Sequence, residues 1–185
     1  MKVVPPWRVG DVADRHRRGR DAGLPVPRVL HTDDVRGIVV LSELPGTPLA
    51  EHLENGHPLP DADDVWSLIE RITASLGTHG DLHDRQVLVD HDGIVVGIVD
   101  LDDTGDGDLL DDLARLVVHV RTRDDTHPDQ RNRVRTFADG LVSIFEQHVD
   151  GDHLRHRIRA HADASTDVRS PMGPTPNPRL ARWTS

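Results

Sequence analysis

Cysteine is absent from the 185-residue chain, which excludes disulfides, thiolate zinc sites and a cysteine nucleophile. Aromatic residues are scarce at 3%, so any core must be assembled from Val, Leu and Ile. Long apolar runs are missing too. Nothing approaches the ~20 residues that cross a bilayer, and the opening MKVVPPWRVG lacks the apolar stretch of a secretory signal. Positive charge is in deficit, with 22 basic against 32 acidic residues and a formal net charge of −10. A surface that acidic repels phosphate backbones, so nucleic acid is not an expected partner. Together these absences describe a soluble, cytoplasmic chain with no membrane partner. Lysine is nearly missing as well: Lys2 stands alone among the 22 basic residues. A lysine that survives so strong an arginine bias draws attention.

What is present reads as one domain, or one with a small appendage. Lys2–Val4 is a short β-like run stopped by Pro5-Pro6, and Asp11–Ala22 is an arginine-laden helix closed by Gly23. Strands are expected over Arg28–His31 and Gly37–Ser42, then a short helix over Pro48–Glu54. Val65, Leu68, Ile69, Ile72 and Leu76 form one apolar stripe on a helix spanning Asp61–Leu76, with acidic residues at its positive end. Val87–Val89 and Ile94–Val99 flank Asp90-His91-Asp92-Gly93, a hairpin signal. Three helices follow, from Leu109, through Val134 and Phe145, and over His153–His161; a Ser/Thr/Pro/Gly-rich tail closes the chain.

The chemistry concentrates between His79 and Asp112, which reads HGDLHDRQ, then the hairpin, then IVDLDDTGDGDLLDDLA. A hairpin brings its two ends together. With the turn centred on Asp92, Gln86 pairs near Ile98, and Asp100 emerges beside it. Asp81 comes to the same end. Two carboxylates and an amide oxygen converging there suit a hard cation such as magnesium. Three other readings of these residues stay open. VDLDDT (Val99–Thr104) matches the nucleophile motif of haloacid-dehalogenase-type phosphatases. Asp100, Asp102, Thr104, Gly105 and Asp106 resemble part of an EF-hand loop, without its closing Glu. His79, Asp81, His83 and Asp84 have the alternation of a His/Asp metallohydrolase.

Taken whole and in order, HGDLH, the VLVD-turn-GIVD hairpin, D-x-D-D-x-G-x-GD and DLA resemble the catalytic core of the aminoglycoside phosphotransferase family, the small-molecule branch of the protein-kinase-like fold. GLPVPRVL and SELPGTPL upstream fit the same pattern. The resemblance implies an α+β, protein-kinase-like fold, mainly the helical C-lobe with a reduced N-lobe. Its expected divisions are an N-lobe remnant over 1–42, a hinge over 43–47, a C-lobe over 48–163 and a flexible tail over 164–185.

The same resemblance implies transfer of the ATP γ-phosphate to a hydroxyl of a small, aminoglycoside-like substrate. Asp81 would be the catalytic aspartate that orients that hydroxyl and accepts its proton. Asp100 would bind Mg²⁺, with Gln86 as second metal ligand where the family usually has asparagine. Glu43 and Leu44 would receive adenine at the hinge. Asp108 and Asp112 look like supporting acids that cap and hydrogen-bond, and His79 and His83 like holders of the loop. The sequence begins near the strand that carries the family's phosphate-binding lysine, so the resemblance gives that role to Lys2, paired with Asp14 or Asp11. With the phosphate-covering strands unaccounted for, a catalytically impaired remnant or binding module is the alternative.

Overall fold

The computed structural model describes residues 1–125 and 128–167. Its first layer is a three-stranded antiparallel sheet of order β1-β3-β2, from β1 (Lys2–Val3), β2 (Val29–Asp33) and β3 (Ile38–Leu41). Helix α1 (Val9–Asp21) packs on it and closes a small core of Val4, Val9, Val12 and Val39. Four valines bury little apolar area, so this layer depends on what it packs against.

A second antiparallel sheet, β4-β5-β6, comprises β4 (Thr47–Pro48), β5 (Val87–Val89) and β6 (Val95–Ile98). Pro48 lacks an N–H and is confined to the edge strand of this sheet. Around the sheet lie α2 (Leu49–Asn55), α3 (Ala62–Leu76), α4 (Leu109–Arg121), α5 (Pro128–Phe145) and α6 (Gly151–Asp167). The stripe expected on α3 is buried in full, from Val65 to Leu76, and joins Leu113, Leu116, Val117, Leu141 and Phe145 in the main core. Each such side chain contributes roughly 1.5–3 kcal/mol on burial.

Two features depart from the sequence reading. The last helix runs Gly151–Asp167, well beyond His153–His161, and among its described side chains Leu154, Ile158 and Ala162 are the buried apolar ones. Residues 164–167 of the expected tail are therefore helical, and its remainder lies outside the described residues. The hairpin also contains an irregularity between Leu88 and Val89. Near the turn Val89 faces Val95, as a turn centred on Asp92 requires, but beyond the irregularity Val87 faces Ile98. Gln86 consequently lies opposite Val99, accepting its N–H at 3.0 Å, one place from where simple counting puts it. Among the described residues no helix is long and apolar enough to cross a membrane.

Candidate active site

The site grows from two loops that leave the second sheet at the same end. The first, His79–Gln86, follows α3 and enters β5. Its backbone is gathered by Asp112, a carboxylate only 3% exposed in the first turns of α4. Asp112 accepts N–H bonds from His79 at 2.6 Å and Gly80 at 3.0 Å, with a longer one from Leu82 at 3.4 Å. Charge-assisted bonds of this kind are the strong ones, and the α4 N-terminus favours the negative charge. Asp108 caps the same helix, accepting from the Leu110 N–H at 2.9 Å.

Arg115, one turn further along α4, donates to the Gly80 carbonyl at 2.8 Å and to Asp81 Oδ1 at 2.6 Å. Asp81 remains half-exposed at the mouth of the loop. Below it Asp84 is fully buried and ion-paired with Arg123, which also reaches Glu54 on α2. The Arg123 charge is strengthened by that Asp84 hydrogen bond.

The second loop carries Asp100 out of β6 into a 3₁₀ turn, Leu101–Asp103. Asp100 has φ 65° and ψ 58°, and among the described residues it is the one non-glycine with positive φ. The left-handed region costs an L-residue roughly 1–2 kcal/mol, least for Asn and Asp. The two loops touch backbone to backbone. Gly80, itself at φ 84°, leaves so little room that a Cβ there would stand 2.5 Å from the Asp103 carbonyl. His79 adds a tie from Nε2 to the Val99 carbonyl at 3.2 Å. Burial pushes the His79 imidazole below its usual range, and its Nδ1 has no partner.

From the first layer three cations reach this second loop. Lys2 Nζ lies 2.5 Å from Asp100 Oδ1 and 2.7 Å from Asp102 Oδ1. Arg8 donates to the Asp102 carbonyl at 2.7 Å and to Asp103 at 3.2 Å, and Arg15 donates to the same Asp102 carbonyl. Burial disfavours the Lys2 charge, but the bonds to Asp100 and Asp102 outweigh it and raise the pKa. Beneath them His16 is 1% exposed, with Nδ1 against the Pro27 carbonyl and Nε2 unpartnered, and burial lowers its pKa. Asp100 and Asp102 already hold one cation between two carboxylate oxygens. That hard-oxygen donor pair fits Mg²⁺.

The residues singled out in the sequence fare differently. Asp81 and Asp100 sit on touching loops, and Lys2 reaches Asp100. The partner expected for Lys2 is corrected: Asp14 is exposed and pairs with Arg17 at 2.7 Å, while Lys2 meets Asp100 and Asp102. Asp14 lies on α1 and is held by its helical neighbour, whereas Lys2 is directed at the loop by the β1–β3 pairing. Gln86 is buried with Oε1 accepting the His83 N–H at 2.8 Å, so its amide oxygen is turned into its own loop. Leu44 lies over β6, its side chain filling the space above Gly97, and Glu43 beside it is exposed.

The rival readings lose their geometry. Both sheets are antiparallel, so among the described residues no Rossmann-type parallel sheet lies over Asp100. Thr104 Oγ1 is buried on the Leu101 carbonyl and not presented with Asp100 as an EF-hand would need. His83 Nε2 stands 3.8 Å from Asp81 Oδ2, but His79 is tied to Val99 and Asp84 to Arg123, and among the described residues His79, Asp81, His83 and Asp84 form no group of three ligand atoms within 4.8 Å of one another. Arg8, Arg15, Arg115 and Arg123 were missed by sequence reasoning. For Arg115 a signal existed, since it follows Asp112 by three residues on one helix face.

A family model described as the Phosphotransferase enzyme family (APH) matches residues 50–143. Among solved structures, aminoglycoside phosphotransferase APH(3'')-Id from Streptomyces rimosus aligns at 17% identity with a TM-score of 0.50, over 84% of this chain and 82% of that one. The same enzyme in complex with ADP and streptomycin aligns at 20% identity and a TM-score of 0.46, over 75% and 78%. At 17% identity the first of these likenesses is one of fold. A search of curated proteins gives no match.

Proposed function

Because the chain belongs to the Phosphotransferase enzyme family, we propose that it transfers the γ-phosphoryl group of ATP to a hydroxyl of a small molecule. The observation that carries this reading is the backbone contact between the loop of Asp81 and the loop of Asp100, at Gly80 and Asp103. In this reading the contact sets an acid able to take a proton beside the loop that carries a cation-holding pair.

In this reading the Asp81 carboxylate orients the acceptor hydroxyl and takes its proton as the new P–O bond forms and the β–γ bridge bond breaks. Arg115 holds that carboxylate in place from α4. Asp100 and Asp102 would hold the divalent ion, with Gln86 bracing the loop that carries Asp81. Magnesium bound there would supply positive charge against the nucleotide phosphates. Lys2 is the phosphate-facing cation, and the backbone of Glu43 and Leu44, next to β6, receives the adenine edge. Cationic acceptors of the aminoglycoside type suit a chain of net charge −10. Catalysis is then positioning and electrostatics, with no covalent intermediate on the protein.

Thermal unfolding with and without Mg-ATP tests the first half. At a hundredfold excess over Kd, bound nucleotide adds about 2.7 kcal/mol of stability, and no shift with any nucleotide sinks the proposal. Turnover against a panel of hydroxylated amines tests the second half. Asp81→Asn should lose about 10²–10⁴ in kcat while nucleotide still binds. The second reading, an impaired remnant, draws on the own-chain cations at Asp81 and Asp100; it is favoured by nucleotide binding with no turnover on any acceptor.

A further inference from the structure

Lys2 and the Asp100–Asp102 pair come together from positions 98 residues apart. Two carboxylate oxygens from one tight turn grip a single ammonium, at 2.5 and 2.7 Å. We propose that Lys2 is an intramolecular cation that holds the divalent-ion position and makes metal binding conditional on nucleotide. The inference rests on the phosphotransferase reading and deepens it toward regulation of the same site.

The argument is one of charge and tethering. A divalent ion taking the same two oxygens would stand within a few ångströms of the ammonium, and that repulsion in a half-buried site is costly. The ion therefore enters only as Lys2 withdraws. Withdrawal is sterically open, since Lys2 belongs to a two-residue edge strand and its side chain is 29% exposed. The turn survives the exchange. Arg8 and Arg15 hold the Asp102 carbonyl, and Arg8 also holds the Asp103 carboxylate, so its geometry does not depend on Lys2.

Once displaced, Lys2 needs another anion. Asp14 is taken by Arg17, Asp103 by Arg8 and Asp81 by Arg115. A nucleotide phosphate supplies that anion. Phosphate binding and metal binding then favour each other through one side chain, and by linkage each strengthens the other by the same factor.

Mn²⁺ titration of the full chain by electron paramagnetic resonance, with and without ADP, tests this. The exposed Asp90–His91–Asp92 turn also offers three ligand atoms within 4.8 Å of one another, so Asp100→Asn defines the background at that place. Without nucleotide, Lys2→Met should bind Mn²⁺ about tenfold tighter than the parent, within the usual range of coupling. Its gain from ADP should shrink accordingly, and Lys2→Arg, which keeps the charge, should behave like the parent. Thermal unfolding of each variant establishes that the fold is kept. Equal or weaker Mn²⁺ binding by a folded Lys2→Met overturns the inference. ADP that binds neither protein instead overturns the phosphotransferase reading, and the two failures separate because the first is read from metal alone.

Discussion

Arg115 and Asp81 are joined by a 2.6 Å hydrogen bond that crosses from α4 to the loop at the mouth of the site. The same guanidinium nitrogen holds the Gly80 carbonyl at 2.8 Å, so it fixes the loop backbone as well as the carboxylate. A partly exposed ion pair adds only about 0–1 kcal/mol to stability. Its effect should be on geometry. Arg115→Met is expected to lower kcat about tenfold or more, since small misplacements of a reacting group are costly, while urea unfolding changes little. Unchanged kcat in a folded variant would refute the positioning role.

Asp112 should behave in the opposite way. Its buried carboxylate serves N–H groups of His79, Gly80 and Leu82, and Asp112→Ala strands them. Each buried donor left unsatisfied costs about 1–3 kcal/mol, so a loss of several kcal/mol is expected in denaturant unfolding. Asp112→Asn, which retains one acceptor oxygen, should lose less. Equal stability of Asp112→Ala and the parent would contradict the clamp.

For Gln86 the two roles, loop brace and metal ligand, separate cleanly. Oε1 accepts the His83 N–H, and losing that bond should cost about 1 kcal/mol. Gln86→Ala is expected to lower the melting temperature and leave Mn²⁺ affinity within about twofold, a difference well under 1.4 kcal/mol. A large drop in metal affinity would restore Gln86 as a ligand.

Acid should weaken the fold through His16 and His79. Burial lowers both pKa values below the ordinary 6.5, so the unfolded chain takes up protons on these groups at a pH where the folded chain does not. The slope of stability with pH is then positive. Stability should be flat above about pH 7.5 and fall as pH drops through about 6.5, by up to about 1.4 kcal/mol per unit for each histidine. The fall ceases below the folded-state values. Urea midpoints at pH 7.5, 6.5 and 5.5 measure this, and His16→Gln should reduce the slope. A stability that rises on acidification over that range would exclude the assignment.

Much of the framework was legible in one dimension. The α3 stripe, the Asp90–Gly93 hairpin and the glycine stop after α1 are local signals, and each element stands within a residue or two of its expected place. The hairpin register was not recoverable by counting. A single irregularity between Leu88 and Val89 moves every pair below it by one place, and nothing in VLVD marks it. The far end of α6 was also hidden, because Leu154, Ile158 and Ala162 are too sparse a stripe among charged residues to extend a helix on pattern alone.

Order along the chain was enough to name the family: HGDLH, a hairpin and an acidic turn put carboxylates at fixed spacings, and spacing within a loop or hairpin is a local property. Which cation faces which carboxylate was decided only by packing. Lys2 meets Asp100, Arg8 and Arg15 meet Asp102, and Arg115 meets Asp81 because β1, α1 and α4 are set against the two loops. Those contacts join residues 34 to 98 positions apart. Side-chain pairing over such separations depends on how whole elements bury their apolar faces, and local periodicity does not encode that.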